Sequence, residues 1–307
     1  MSHEPLRFPH EAMAAPFQVM VVGEESGYAR QAADAVFAEV DAIEKEISRF
    51  VESSDIAMIN HLRAGDWAPL GVHTFECLKV AARVNVQTNG AFDVTIGPLM
   101  ACWRNPDKSP RTPAKDELAK ARALVGMKLL ELDETRKAIC LKRSGVRLDL
   151  GGIGKGYAVD RAIDILKEWS VECALVDAGD STTGAMGHLE GKQGWPIGVG
   201  GIRDEKAPTY VIEICNQSLS GSGTHVKGSH IIDPRTGRPT SGRVAAWALH
   251  PSGTVADALS TAFMVMTPAE VEQYCKAHID TSALLVPETG GRVERLRYGA
   301  WKGLRDA

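Results

Sequence analysis

The sequence predicts an α+β fold: antiparallel-rich mixed sheets with packed helices, in a single compact unit of two intimate subdomains. Three observations carry this expectation. Helical hairpins are interleaved with many short β-branched segments, and the regular strand–helix–strand rhythm of a parallel sheet is absent. The 307 residues can bury a large core. No internal repeat or low-complexity tract divides the chain.

Composition narrows the class. Hydrophobic residues at 44% with 24% charged are ordinary for a globular protein, and no stretch approaches the roughly 18 uninterrupted apolar residues of a membrane-spanning helix. A net charge of −4 gives no basic footprint for nucleic acid. "MSHEPLRFPHEAMAAPFQVMVV" sets acidic and polar residues where a signal peptide carries basic and apolar ones, so a cytoplasmic location is expected. The six cysteines (Cys77, Cys102, Cys140, Cys173, Cys215, Cys275) lie far apart without a CxxC pair and read as reduced and mostly buried.

Each element has its own signal. "FQVMVVG" (17–23) is β-branched and predicts a strand, and 29–50 follows with apolar residues at helical spacing. "HTFECLKVAARVNVQT" (73–88) is a second helix. The three prolines and mixed charges of 104–117 make a surface loop. Residues 127–152 read as two or three short strands, one turn being "DETRK", and a helix is expected over 155–169. "CALVDAGDSTTGAMG" is a strand running into a small-residue loop. Further strands are expected at "WPIGVG", "TYVIEICNQSLSGSG", "RVAAWALHP" and "SALLVP", and helices at "VADALSTAFMVM" and "PAEVEQYCKAH".

Three segments could carry chemistry. "LDLGGIGKGYAVDRA" (148–162) has glycines at 151, 152, 154 and 156 ahead of a helix, where freed backbone N–H groups commonly hold phosphate. It is not a Walker loop, since Asp149 stands where the first glycine belongs. Nor is it a dinucleotide fingerprint, because Gly152, Gly154 and Gly156 run GxGxG. In "TVADALSTAF", Asp257 and Thr261 are four apart and share one helix face, which suits either an oxygen-ligated Mg²⁺ or Ca²⁺ or a capped, charged first turn. In "GSHIIDPRTGRP", His230 is either a general base or a structural histidine, with Asp233 nearby.

These segments, with "EISRFVESSDIAMIN" and "TNGAFDVTIGPL", stand in the order and spacing of one family. The chain resembles the FAD:protein FMN transferases, the ApbE family, over about residues 12–290. The resemblance implies the T-fold-like ApbE architecture, a domain over 12–295 and terminal extensions at 1–11 and 296–307. It also implies an enzyme that cleaves FAD with Mg²⁺, attaches FMN through a phosphoester to a Thr or Ser of an acceptor flavoprotein, and releases AMP. Residue by residue, Gly152, Asp257, Ser260 and Thr261 fall on the metal-binding set. Met13, Phe50, Ala91, Phe92, Asp93, Asp149, Lys155 and Ile231 fall on FAD-contacting positions, and His230 on the acceptor-activating histidine. Departures from the family pattern fall at Met13–Ala15, at Phe50 in place of the usual Tyr, at 178–182 and at 220–225. Two alternatives use the same residues: an Mg²⁺-dependent FAD pyrophosphatase yielding FMN and AMP, and a non-catalytic flavin-binding protein.

Overall fold

A computed structural model describes residues 4–105, 107, 109–179, 181–200, 210–223, 231–288, 294–301 and 304–307. The elements run β1 (Leu6–Ala12), β2 (Ala15–Val22), α1 (Ser26–Ile47), α2 (Asp55–Ile59), β3 (Trp67–Pro69), α3 (Val72–Gln87), α4 (Gly97–Cys102), α5 (Lys115–Arg122), β4 (Leu130–Asp133) and β5 (Ala138–Leu141). They continue with α6 (Gly154–Glu168), β6 (Cys173–Ala178), β7 (Thr182–Met186), β8 (Trp195–Val199), β9 (Tyr210–Ile214), β10 (Gln217–Gly223), β11 (Ile232–Asp233) and β12 (Arg238–Pro239). The last are β13 (Arg243–His250), α7 (Gly253–Val265), α8 (Pro268–Ala277), β14 (Ser282–Pro287), β15 (Leu296–Tyr298) and β16 (Arg305–Asp306).

An eight-stranded sheet in the order β1-β2-β6-β7-β10-β13-β14-β15 organises the molecule. Strand alternation gives it two different faces. Val19 and Val21 of β2, Ala174 and Val176 of β6, and Ala246 and Ala248 of β13 belong to the large core beneath the helices. Met20, Leu175, Leu219 and Leu249 belong instead to a second core with Trp195, Ile212 and Ile214 of the three-stranded sheet β16-β9-β8. The result is three layers: helices, large sheet, small sheet.

Helix α1 buries Ala29, Ala32, Ala33, Val36, Phe37, Val40, Ile43 and Ile47, a continuous stripe three to four residues apart. Each large apolar side chain among these stabilises by about 1.5–3 kcal/mol. Helix α7 is apolar nearly all round and is correspondingly buried nearly all round. The capping box of Thr267 and Glu270 starts α8 cleanly.

One reading changes, and two gain detail. Within 127–152 two strands form, β4 and β5, and 146–150 adds one parallel bridge from Arg147 to Ile96; Asp149 N donates to Val94 O at 2.8 Å, and the Asn60 side chain accepts from Leu148 N at 2.6 Å and donates to Leu148 O at 3.1 Å. Thr182–Met186, expected as loop, is strand β7 between β6 and β10. The expected extensions contribute strands: Leu6–Ala12 pairs with β2, Leu296–Tyr298 with β14, and Arg305–Asp306 with β9. All six cysteines are free, with Cys77, Cys102, Cys140 and Cys275 buried. Among the described residues no helix is long and apolar enough to cross a membrane.

Candidate active site

Two helices that cross at backbone contact create the site. A Cβ at Gly156 of α6 would lie 2.1 Å from Gly253 O of α7 and 2.6 Å from Asp257 Cβ, so only glycine lets the helices approach this closely. Asp160, one turn further along α6, clamps the start of α7. Its carboxylate accepts from Gly253 N (2.5 Å), Thr254 N (2.9 Å), Thr254 Oγ1 (2.6 Å) and Ser252 Oγ (2.6 Å), satisfying donors that a helix start leaves unpaired.

This junction fixes Asp257. The buried carboxylate accepts from Gly156 N at 3.0 Å through Oδ2, and Ser220 Oγ lies 3.4 Å from Oδ1. Ser220 is itself held by Thr182 Oγ1 and Ser181 O, both at 2.9 Å. Around Asp257 the neighbours are hydroxyls. Ser260 Oγ donates to Asp257 O (2.9 Å) and lies 2.8 Å from Ser222 Oγ, which is 3.3 Å from Thr261 Oγ1. Burial, with the Asp257 charge as the smaller cause, pushes the Cys77 thiol well above its ordinary range, so Cys77 stays protonated.

The glycine loop faces the same point. A Cβ at Gly152 would stand 3.0 Å from Thr261 Oγ1 and 3.5 Å from the Phe92 ring. The structure thus brings Gly152, Phe92, Asp257, Ser260 and Thr261 together. Asp257 and Thr261 do share a face of α7, as their spacing predicts. Among the described residues no three His, Cys, Asp or Glu side chains group as a metal site. Among the described residues the donors gathered here are one carboxylate and the hydroxyls of Ser220, Ser222, Ser260 and Thr261. That chemistry fits Mg²⁺, which takes few protein ligands and completes its shell with phosphate and water, and does not fit zinc.

A second cluster sits at the loop's entrance. Asp149 forms a salt bridge to Arg49 and accepts from Gly151 N at 2.8 Å. The Arg49 guanidinium lies 4.7 Å from the centroid of the Phe50 ring. Met13 reaches the loop from the β1–β2 hairpin, where Met13 and Ala14 both have positive φ (53° and 55°), the backbone of a tight two-residue turn. Its Cε would be 3.4 Å from a Cβ at Gly154.

The remaining predicted residues are placed differently. Asp93 is an internal latch, accepting from Thr95 N (2.8 Å), Thr95 Oγ1 (2.5 Å), Asn85 Nδ2 (3.1 Å) and Met127 N (3.2 Å). Burial, the largest effect, raises its pKa against these bonds. Ala91 is buried, and Ile231 is buried with its carbonyl accepting from Thr240 N at 2.9 Å. Lys155 is half-buried in the first turn of α6. Asp233 accepts from Arg235 N and Nε, and Arg235 also donates to Glu270. His230 lies outside the described residues, as do Asp180, Thr224 and His225.

Sequence reasoning missed Arg49, Asp160, Thr182, Ser220 and Ser222, and read Gly156 only as part of a phosphate loop, not as the contact between α6 and α7. For Ser220 and Ser222 a signal existed: serines at alternate positions of a strand line one face. Part of the 178–182 and 220–225 departures therefore supplies hydroxyls to the cluster.

A cavity of about 500 Å³ opens on the other face of the large sheet, lined by Met20, Leu175, Asp177, Trp195, Leu219 and Trp247 among others. None of the predicted site residues lines it, and the chemistry-bearing groups lie across the sheet.

A carboxylate and hydroxyl cluster facing a glycine loop, built on an antiparallel sheet beneath crossed helices, defines an α+β protein whose site suits hard, oxygen-seeking groups. The chain belongs to the ApbE family, whose sequence profile matches residues 13–285. It is 26% identical over 295 residues to the FAD:protein FMN transferase of Klebsiella pneumoniae, covering 92% of this chain and 84% of that one. It superposes on the flavin transferase ApbE from Vibrio cholerae with a TM-score of 0.86 at 24% identity, covering 98% and 99% of the two chains. On the apo form of the Pseudomonas stutzeri flavinyl transferase ApbE the TM-score is 0.85 at 26% identity, covering 97% and 96%. The α+β, antiparallel-rich architecture expected from sequence is the ApbE architecture.

Proposed function

We propose that this chain is an Mg²⁺-dependent FAD:protein FMN transferase, which cleaves the FAD pyrophosphate and attaches FMN to a Thr or Ser hydroxyl of an acceptor flavoprotein, releasing AMP. The observation that carries this reading is the convergence of Gly152, Asp257 and Thr261, from motifs about a hundred residues apart, at one point. The family relationship supports the same assignment.

In this reading the glycine loop leaves its backbone bare so that phosphate oxygens approach closely, and the first turn of α6, with Lys155, adds positive potential there. Asp257 and Thr261, with the Gly152 carbonyl, are the groups that would hold Mg²⁺, and the buried Ser260 hydroxyl is tied to the same cluster. Bound there, Mg²⁺ would supply charge neutralisation on the pyrophosphate. His230, assigned from the family resemblance, takes the proton of the acceptor hydroxyl. The new bond joins that oxygen to the FMN phosphorus, the pyrophosphate bond breaks, and AMP departs with the electron pair.

The test is incubation with FAD, Mg²⁺ and a protein carrying a Thr/Ser flavinylation motif, followed by intact mass measurement. An FMN-sized increment on the acceptor is expected. Free FMN and AMP without the increment would make the chain a pyrophosphatase, and intact FAD retained by the protein would make it a non-catalytic binder.

A further inference from the structure

We propose that Arg49 is a flavin-binding residue that recognises the carbonyl-bearing edge of the isoalloxazine ring; this rests on the FAD reading above. Arg49 and Phe50 follow the end of α1 on a turn that is tied down from several sides. Ser54 Oγ donates to Ser48 O at 2.6 Å, Val51 N donates to Ser48 O at 3.2 Å, and Phe50 N to Ser48 Oγ at 3.3 Å. The turn therefore presents two side chains in fixed relation. Phe50 is 76% exposed even with the guanidinium 4.7 Å from its ring centroid. An aromatic ring held open beside a cation is a stacking platform.

The pairing with Asp149 decides what the platform recognises. Arginine carries five N–H donors in a planar fork, and the Nη1 nitrogen is committed to the Asp149 carboxylate. That carboxylate is only 9% exposed, while the Arg49 side chain is 38% exposed. The pair is close to neutral, so it offers little attraction to a phosphate. What it offers is a flat set of donors over one side of an exposed aromatic ring, complementary to a neutral ring system with carbonyl acceptors on its rim. Asp149 also binds Gly151 N, and Gly152 faces Thr261. The platform and the oxygen cluster are thus the two ends of one continuous surface, suited to a molecule with a flat ring at one end and phosphates further along.

Calorimetric titration with FAD and with ADP-ribose, which keeps adenosine and pyrophosphate but lacks the isoalloxazine, separates the roles. Arg49→Ala should weaken FAD binding by roughly five- to thirtyfold and leave ADP-ribose affinity unchanged. Arg49→Lys should show nearly the same loss, because lysine keeps the charge toward Asp149 without the planar fork. Equal weakening of both ligands, no weakening of either, or recovery of FAD affinity by lysine would each overturn the assignment. A wild-type chain that binds ADP-ribose but not FAD overturns it as well. One that binds neither ligand removes the FAD reading and this assignment together.

Discussion

Gly156→Ala puts the α6–α7 junction to the test. The added methyl would stand 2.1 Å from Gly253 O and 2.6 Å from Asp257 Cβ, where ordinary contact begins at 3.4 Å. Neither obstacle is the far end of a flexible side chain, so the helices must separate by more than an ångström. Alanine gains about 1 kcal/mol over glycine within a helix. Against that, overpacking a tight core costs about 1–3 kcal/mol, and losing the Gly156 N–H bond to the Asp257 carboxylate costs about 1.5–3 kcal/mol more. The net expectation is destabilisation by about 1.5–5 kcal/mol, with weaker FAD binding because Asp257 is displaced from the glycine loop. Urea unfolding and FAD titration of the purified variant measure both. A variant as stable as wild type, with unchanged FAD affinity, would refute the close junction as the determinant of the site.

Asp257→Asn keeps an acceptor for Gly156 N but removes the charge, so the fold should persist while Mg²⁺-dependent turnover falls by at least about a hundredfold; rates measured over a magnesium titration check this. Asp93→Asn turns an NH₂ toward donors that now meet carboxylate oxygen, and urea unfolding should show a loss of about 1–3 kcal/mol. Burial, the largest effect, holds the His250 pKa below its ordinary value, and the neutral ring accepts from Ser252 N at 2.9 Å at the start of α7. The unfolded chain therefore binds the extra proton first. This contribution is full above about pH 6.5 and is lost as pH falls below it. Melting temperatures from pH 7.5 to 5.5 should fall less steeply in His250→Gln than in wild type.

Local pattern reached far into the fold. The stripe of α1, the apolar spacing of α3 and α6 and the short apolar runs of β2 and β13 all belong to contiguous residues, so they are legible without tertiary knowledge. Strand β1 was not, since Pro9, His10 and Glu11 interrupt its apolar character; as an edge strand it tolerates proline. Segment 146–150 alternates like a strand, yet it pairs through a single bridge to Ile96, and both backbone groups of Leu148 go to the Asn60 side chain 88 residues away. The site divides the same way. Asp257 and Thr261 are legible as one helix face. The Arg49–Asp149 pair and the Ser220 contact with Asp257 depend on which face of which element meets which, and that is set by sheet order and by the glycine contact between α6 and α7.

That dependence predicts a coupling. The relation of Asp257 to Thr261 is internal to α7, so perturbing the junction leaves those two groups in register with each other. It changes their distance to Gly152, Ser220 and Ser222, which arrive from the loop before α6 and from β10. If Gly156→Ala weakens FAD binding solely by moving Asp257, then the Gly156→Ala effect should shrink once the Asp257 charge is gone. The double variant with Asp257→Asn should then bind FAD more tightly than the two single losses predict, with an interaction of about 0.5–3 kcal/mol, the range for groups in contact. Calorimetry on the four proteins of the cycle decides it. Additivity within about 0.3–0.5 kcal/mol would mean that the junction acts on FAD through the shape of the glycine loop alone, with Asp257 an independent contributor.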